Sequence, residues 1–255
     1  MSQLVRYAVE GSVARLTLDS PHNRNALSTA LVSQLHEGFR AAAAEPSVRT
    51  VVLGHTGGTF CAGADLSEAA GHDLAEVSVA RAREMTDLLR AILELPVPVI
   101  GAIDGHVRAG GMGLIGACDL VVAGSASTFA LTEARIGVAP SIISLTLLPK
   151  MSPRAAARFF VTGEKFGAAE AADNGLITVA TEDVAAAVAA LAAAIGKGSP
   201  QGLAASKALT TAPILSTFDR RAVALTAQSA KLFVSDEARE GMLAFLEKRP
   251  PRWQT

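Results

Sequence analysis

Residues 103–123 read IDGHVRAGGMGLIGACDLVVA. An apolar run, VPVIGAIDG (97–105), enters this stretch between Pro96 and Pro98, and a second, DLVVAG (119–124), leaves it. Both read as short buried strands. Between them lies a glycine-rich turn that opens a helix. The same order appears upstream: the strand TVVLGHT (50–56), the glycine-rich GGTFCAGADL (57–66), then a helix over 76–94. Strand, loop and helix in alternation predict parallel βαβ units and an α/β fold.

Glycines in such turns let the backbone approach a ligand and leave N–H groups unpaired. A helix N-terminus adds a partial positive charge. Two such turns aimed at one oxygen meet the physical requirement for an oxyanion hole. Tight packing alone also explains either turn. The spacing Gly111-x-Gly113-x-x-Gly116 matches a dinucleotide fingerprint, but the strand that follows ends without the acidic residue that grips a ribose.

Outward from this centre, residues 4–19 alternate as a β-hairpin turning at Glu10-Gly11. Leu27, Leu31, Leu35 and Phe39 place one apolar face on a helix over 28–44. FALTEARIGV (129–138) reads as a strand followed by a turn, and the remainder as helices near 152–161, 168–173, 183–195, 200–210, 218–233 and 236–248. The economical division is a catalytic core, 1–198, and a C-terminal helical segment, 199–255.

Of the 255 residues, 50% are hydrophobic and 18% charged, which excludes a disordered chain. A formal net charge of −1 gives no field to hold nucleic acid or an anionic membrane. Two cysteines do not make a disulfide scaffold, and no His/Cys cluster has zinc spacing. The first residues, MSQLVRYAVEG, lack the apolar run of a signal peptide. The expectation is a soluble cytoplasmic enzyme without a metal.

FCAGADL (60–66), IDGHVRAGGMGLIGACDLVVA (103–123) and FALTEARIGV (129–138) together resemble the crotonase superfamily, the enoyl-CoA hydratase/isomerase family. NRNAL (23–27) resembles its CoA-contacting loop, and FVSDEAREGMLAFLEKRPPRW (233–253) its C-terminal helix. The resemblance implies a crotonase (ClpP-like) spiral of ββα units, a C-terminal trimerisation region, and a homotrimer or homohexamer acting on an acyl-CoA. CoA is then part of the substrate, and no cofactor is expected.

The same resemblance implies residue roles. Ala64 and Gly110 supply the oxyanion amides. Ala62 lies beside the adenine and Arg24 beside the phosphates or pantetheine, with Ala26, Asp65 and Leu66 completing the CoA-facing set. Phe245 and Lys248 reach a CoA phosphate from the tail. For each, a plainer reading stays open: Arg24 a solvated loop charge, Lys248 a helix-surface lysine, Phe245 a core residue, Asp65 a helix cap. Asp119 reads as structural and Cys61 as a packed thiol. His106 and Arg108 are weaker candidates near the second turn.

Two-glutamate hydratases carry one glutamate just after the second glycine turn and another in the F-x-x-x-E segment. Glu133 fills the second position, but the first is Gly113, without a side chain. Glu133 alone could activate water and return its proton to Cα, giving hydration of an enoyl-CoA, including a methylglutaconyl-CoA. It could instead shuttle a proton between carbons, giving double-bond isomerisation. A catalytically silent acyl-CoA-binding protein is the reading from outside enzyme chemistry.

Overall fold

The structure, a computed structural model, describes residues 2–69 and 74–254. Two strands open the chain as an antiparallel hairpin, β1 (Val5–Glu10) and β2 (Val13–Leu18). Then follow α1 (Thr29–Ala44), β3 (Thr50–His55), β4 (Thr59–Cys61), α2 (Leu74–Glu94), β5 (Val99–Ile103), β6 (His106–Arg108), α3 (Gly110–Ala117), β7 (Leu120–Gly124) and β8 (Thr128–Ala130). The second half holds α4 (Ser144–Leu147), α5 (Pro153–Thr162), β9 (Phe166–Gly167), α6 (Ala168–Asp173), β10 (Val179–Thr181), α7 (Val184–Ile195), α8 (Pro200–Phe233) and α9 (Asp236–Leu246).

The strands form two sheets. The larger has the order β1-β2-β3-β5-β7-β10, the smaller β4-β6-β8-β9. From β2 to β10 the large sheet is parallel, as are β4, β6 and β8 in the small one. Each turn of the chain therefore lays one strand in the large sheet (β3, β5, β7) and the next in the small sheet (β4, β6, β8). This is the expected spiral of ββα units.

The apolar runs follow from burial on both faces of the large sheet. Val51, Leu53, Val99 and Val121 point into the main core with α1 and α2, while Val52, Ile100 and Val122 face Val188 and Ala192 of α7. Successive side chains of a strand alternate faces, so both sets must be apolar.

The helices expected at 200–210 and 218–233 are one element, α8, which continues through Pro213. Proline removes one helical hydrogen bond. Burial of Thr211, Ile214 and Phe218 on either side offsets that loss. Below its first turn, the Lys207 ammonium is buried against Asp119 Oδ2 at 2.8 Å, and it donates to Ile92 O at 2.8 Å and Val97 O at 3.2 Å. Asp119 also accepts from Val99 N at 2.7 Å. Burial pushes the Lys207 ammonium below its usual pKa, and Asp119 opposes that shift. The pair bolts the tail to the start of β5, in keeping with a structural Asp119.

Removing one partner of such a pair strands the other charge in the interior. Asp119→Ala is expected to destabilise the protein by about 3–5 kcal/mol, read as a lower midpoint in denaturant with an unchanged slope.

Candidate active site

Three turns leave the C-terminal ends of β4, β6 and β8, three adjacent parallel strands. Neighbouring strands lie about 5 Å apart, so three such turns fall within about 10 Å of one another. They carry Ala64, Gly110 and Glu133.

The first two turns touch. A Cβ on Gly63 would fall 2.6 Å from Ala109 Cβ and 3.3 Å from Gly110 N, so only glycine fits there. Gly63 also has φ 97°, a region closed to most side chains. Ala109 pays for the approach with φ 45°, ψ −121°, a strained conformation that turns the chain into α3. Gly110 is the first residue of that helix, where an N–H has no intrahelical partner.

Ala64 is set by a different device. Leu27 N donates to Gly63 O at 2.7 Å and Asp65 N to Leu27 O at 3.2 Å. In a parallel bridge the bracketed residue turns its own N–H away from the partner chain. Among the described residues, neither the Ala64 nor the Gly110 amide is donated to a protein acceptor. Two free amides on abutting turns are what an oxyanion requires.

The 23–27 loop is stitched along the first turn. Ala62 N donates to Arg24 O at 3.1 Å, and Asn23 Nδ2 to Asp65 Oδ2 at 3.1 Å. Asn25 holds the loop from inside: its Oδ1 accepts from Ser20 N, and its Nδ2 donates to Thr56 O and Thr59 O. Sequence reasoning missed Asn25. The one signal available was the residue type, since asparagine tolerates the positive φ that Asn25 takes.

Arg24, Ala26, Ala62 and Asp65 thus share one strip. Arg24 is exposed and Ala62 partly so, but the Ala26 side chain is buried. Asp65 also accepts from Ser67 N at 3.0 Å and Ser67 Oγ at 2.6 Å, the capping arrangement. Leu66 opens a 3-10 turn, Leu66–Ala69, and its side chain lies outside the described residues.

The tail departs from expectation. Phe245 is 66% exposed, which overturns its reading as a core residue: it ends a helix whose buried face is Ala238, Gly241 and Ala244. Lys248 lies beyond α9, at φ 53°, and is no helix-surface lysine. No hydrogen bond or ion pair among the described residues joins either to the strip around Arg24.

Glu133 begins a 3-10 turn, Glu133–Ile136, and is only 8% exposed. Its Oε2 is buried without a protein partner. Among the described residues, no cation lies within ion-pair distance of it, so it is not a loop salt-bridge residue. Burial pushes its carboxyl up to about 7, against a hydrogen bond from its own backbone. A carboxyl poised near neutrality both accepts and returns a proton.

The missing first glutamate, at Gly113, leaves no hollow. A Cβ on Gly113 would fall 2.5 Å from Ile143 Cγ2 and 2.9 Å from Met85 Cε. Apolar side chains fill the place a carboxylate would need. His106 is exposed, with Nδ1 2.9 Å from Thr128 Oγ1, and Arg108 donates to Val107 O and Thr128 O. Cys61 is buried, its thiol pushed up to about 12 by burial, consistent with a packed, unreactive sulfur.

Comparison with known proteins bears on the family and the fold. The family model described as enoyl-CoA hydratase/isomerase matches residues 8–255. A protein named probable enoyl-CoA hydratase from Rhodobacter capsulatus is 34% identical, covering 98% of this chain and 97% of its own length. A mevalonyl-coenzyme A hydratase from Aspergillus fumigatus is 31% identical, over 94% of this chain and 90% of its own. The crystal structure of an enoyl-CoA hydratase from Mycobacterium avium is 66% identical, with a TM-score of 0.94, covering 99% of this chain and all of that one. Matched along nearly its whole length in sequence and in fold, the chain belongs to the enoyl-CoA hydratase/isomerase family.

Proposed function

We propose that this protein hydrates a 2-enoyl-CoA, with Glu133 as the single proton carrier. The observation that carries the reading is a buried carboxyl, held near neutral pKa, on the turn that follows β8, beside two abutting turns with free backbone amides. The thioester oxygen is received by the N–H groups of Ala64 and Gly110. Glu133 takes a proton from water, the hydroxyl oxygen bonds to Cβ, and the π electrons move onto the thioester as an enolate. Glu133 then returns the proton to Cα. Each amide is worth about 3–4 kcal/mol to the developing charge. This chemistry uses no metal or organic cofactor.

Arg24, Ala62 and the backbone of Ala26 and Asp65 form the strip we assign to CoA, with Leu66, Phe245 and Lys248 kept as proposed contacts. We take 199–255 as the segment that builds a homotrimer or a hexamer of two trimers. The exposed Leu209 and Val223 of α8 support that reading. Among the described residues no helix is long and apolar enough to cross a membrane, and we propose a cytoplasmic location.

One observation favours a second reading. Ile143 and Met85 occupy the place of the second carboxylate, so water is oriented by Glu133 alone. The same lone carboxyl can carry a proton between Cα and Cγ, which isomerises a 3-enoyl-CoA. Turnover in oxygen-18-labelled water separates the two: hydration leaves label at Cβ, isomerisation moves the double bond without label.

Glu133→Gln is expected to lower kcat by at least about 10²-fold while acyl-CoA binding, measured by calorimetry, is retained. In the native enzyme kcat/KM should fall on the acid side of about 7 as the carboxyl protonates. That limb should be absent from any residual Glu133→Gln activity.

The same group links stability to pH. Its folded pKa lies above the unfolded value, so the folded state binds the extra proton between about 4.5 and 7. Stability is therefore lost as pH rises through that window, by roughly 3 kcal/mol in all. Melting temperatures should show Glu133→Gln gaining on the native protein between pH 5 and pH 8.

A further inference from the structure

The last helix packs on the turn that carries Glu133, and it does so backbone against backbone. A Cβ on Gly241 of α9 would fall 2.5 Å from both C and O of Ile136. From the other side, a Cβ on Gly137 would fall 2.5 Å from Glu237 C and 2.7 Å from Ala238 N. Each glycine admits the main chain of the other element, and Ala238 beside them is fully buried.

The turn has little freedom to absorb a shift. Gly137 N and Val138 N both donate to Glu133 O. On the side away from α9, Arg135 Nε donates to Thr162 O at 2.9 Å, and a Cβ on Gly163 would fall 2.9 Å from that same nitrogen. The turn that begins at Glu133 is thus held by both the end of α5 and the face of α9.

Resting on the assignment of Glu133 as the base, we propose that Gly241 is a positioning residue, seating α9 on the Glu133–Ile136 turn to fix the aim and the dryness of the carboxyl. This gives the C-terminal segment a catalytic task inside its own subunit, separate from assembly.

Among the described residues, no charged group on the packed elements pairs with Glu133, and Arg154 of α5 is exposed. Arg135 is held by Thr162 O. Arg158 of α5 pairs with Glu164 and Glu170. On α9, Arg239 pairs with Asp236, Glu240 is held by Arg249, and Glu237 is exposed. Burial rather than a neighbouring charge sets the proton affinity of Glu133.

The test is Gly241→Ala in the full chain, assayed with crotonyl-CoA across pH beside Glu133→Gln. The added methyl must push Ile136 away. The expected result is a kcat lowered about 10- to 100-fold with KM within about threefold. The acid limb should move below its native position as water reaches the carboxyl. A folded variant with native kcat overturns the inference, and so does a lowered kcat with an unmoved limb, which marks a purely structural role. If Gly241→Ala does not fold, Ala238→Gly loosens the same seat without adding an atom. It should move the limb in the same direction by less, and an unmoved limb there overturns the inference. Normal turnover by Glu133→Gln sinks the base assignment and this inference with it. An inactive Glu133→Gln beside an unmoved limb sinks the inference alone.

Discussion

Two backbone turns meet where Gly63 faces Ala109 and Gly110, closer than any side chain on Gly63 would allow. That contact rests on the parallel pairing of β4, β6 and β8, which brings three turns from distant parts of the chain to one sheet edge. Backbone amides held this way need no reorganisation when charge develops, and their geometry is insensitive to the identity of most side chains around them. The strain at Ala109 is local and is carried by the pairing on both sides of it.

On the proposed reading, Glu133 sets function against stability. A carboxyl on the surface would keep its ordinary pKa and be a weak base. Burial without a partner raises its proton affinity to a useful value and makes the ionised form costly to the fold. The surrounding structure must then hold the group in place. It does so with main-chain contacts from α5 and α9, not with an ion pair that would lower the pKa again.

The position of Gly113, one turn of helix after Gly110, has gone the other way. Where a second carboxylate would stand, Met85 and Ile143 close over Gly113. Met85 comes from α2 and Ile143 from the approach to α4, so two remote segments cooperate to keep that wall apolar. The chain belongs to its family by sequence and by fold, and an apolar wall stands over its Gly113.

The strands of the large sheet were legible because burial on both faces makes each a continuous apolar run. The first helices were legible from their four-residue repeat. β4 and β6 were not read as strands, since three residues are too few to establish a period. The two helices expected at 200–210 and 218–233 are one, because α8 packs against α2 and runs on through Pro213. Phe245 has the spacing of a core residue on its helix, but which helix face is covered depends on what lies beside it. By itself the sequence determined the α/β class and the two glycine turns, because these are local properties of residue type and spacing, while the lone Glu133 and the glycine at 113 stood out only through the family resemblance. Only the tertiary structure decided that the turns touch, that Ile143 and Met85 fill the vacancy, that Glu133 is dry, and that α9 lies against it. Those are contacts between segments far apart in the chain, and they follow from the pairing order of the strands, which no local pattern encodes.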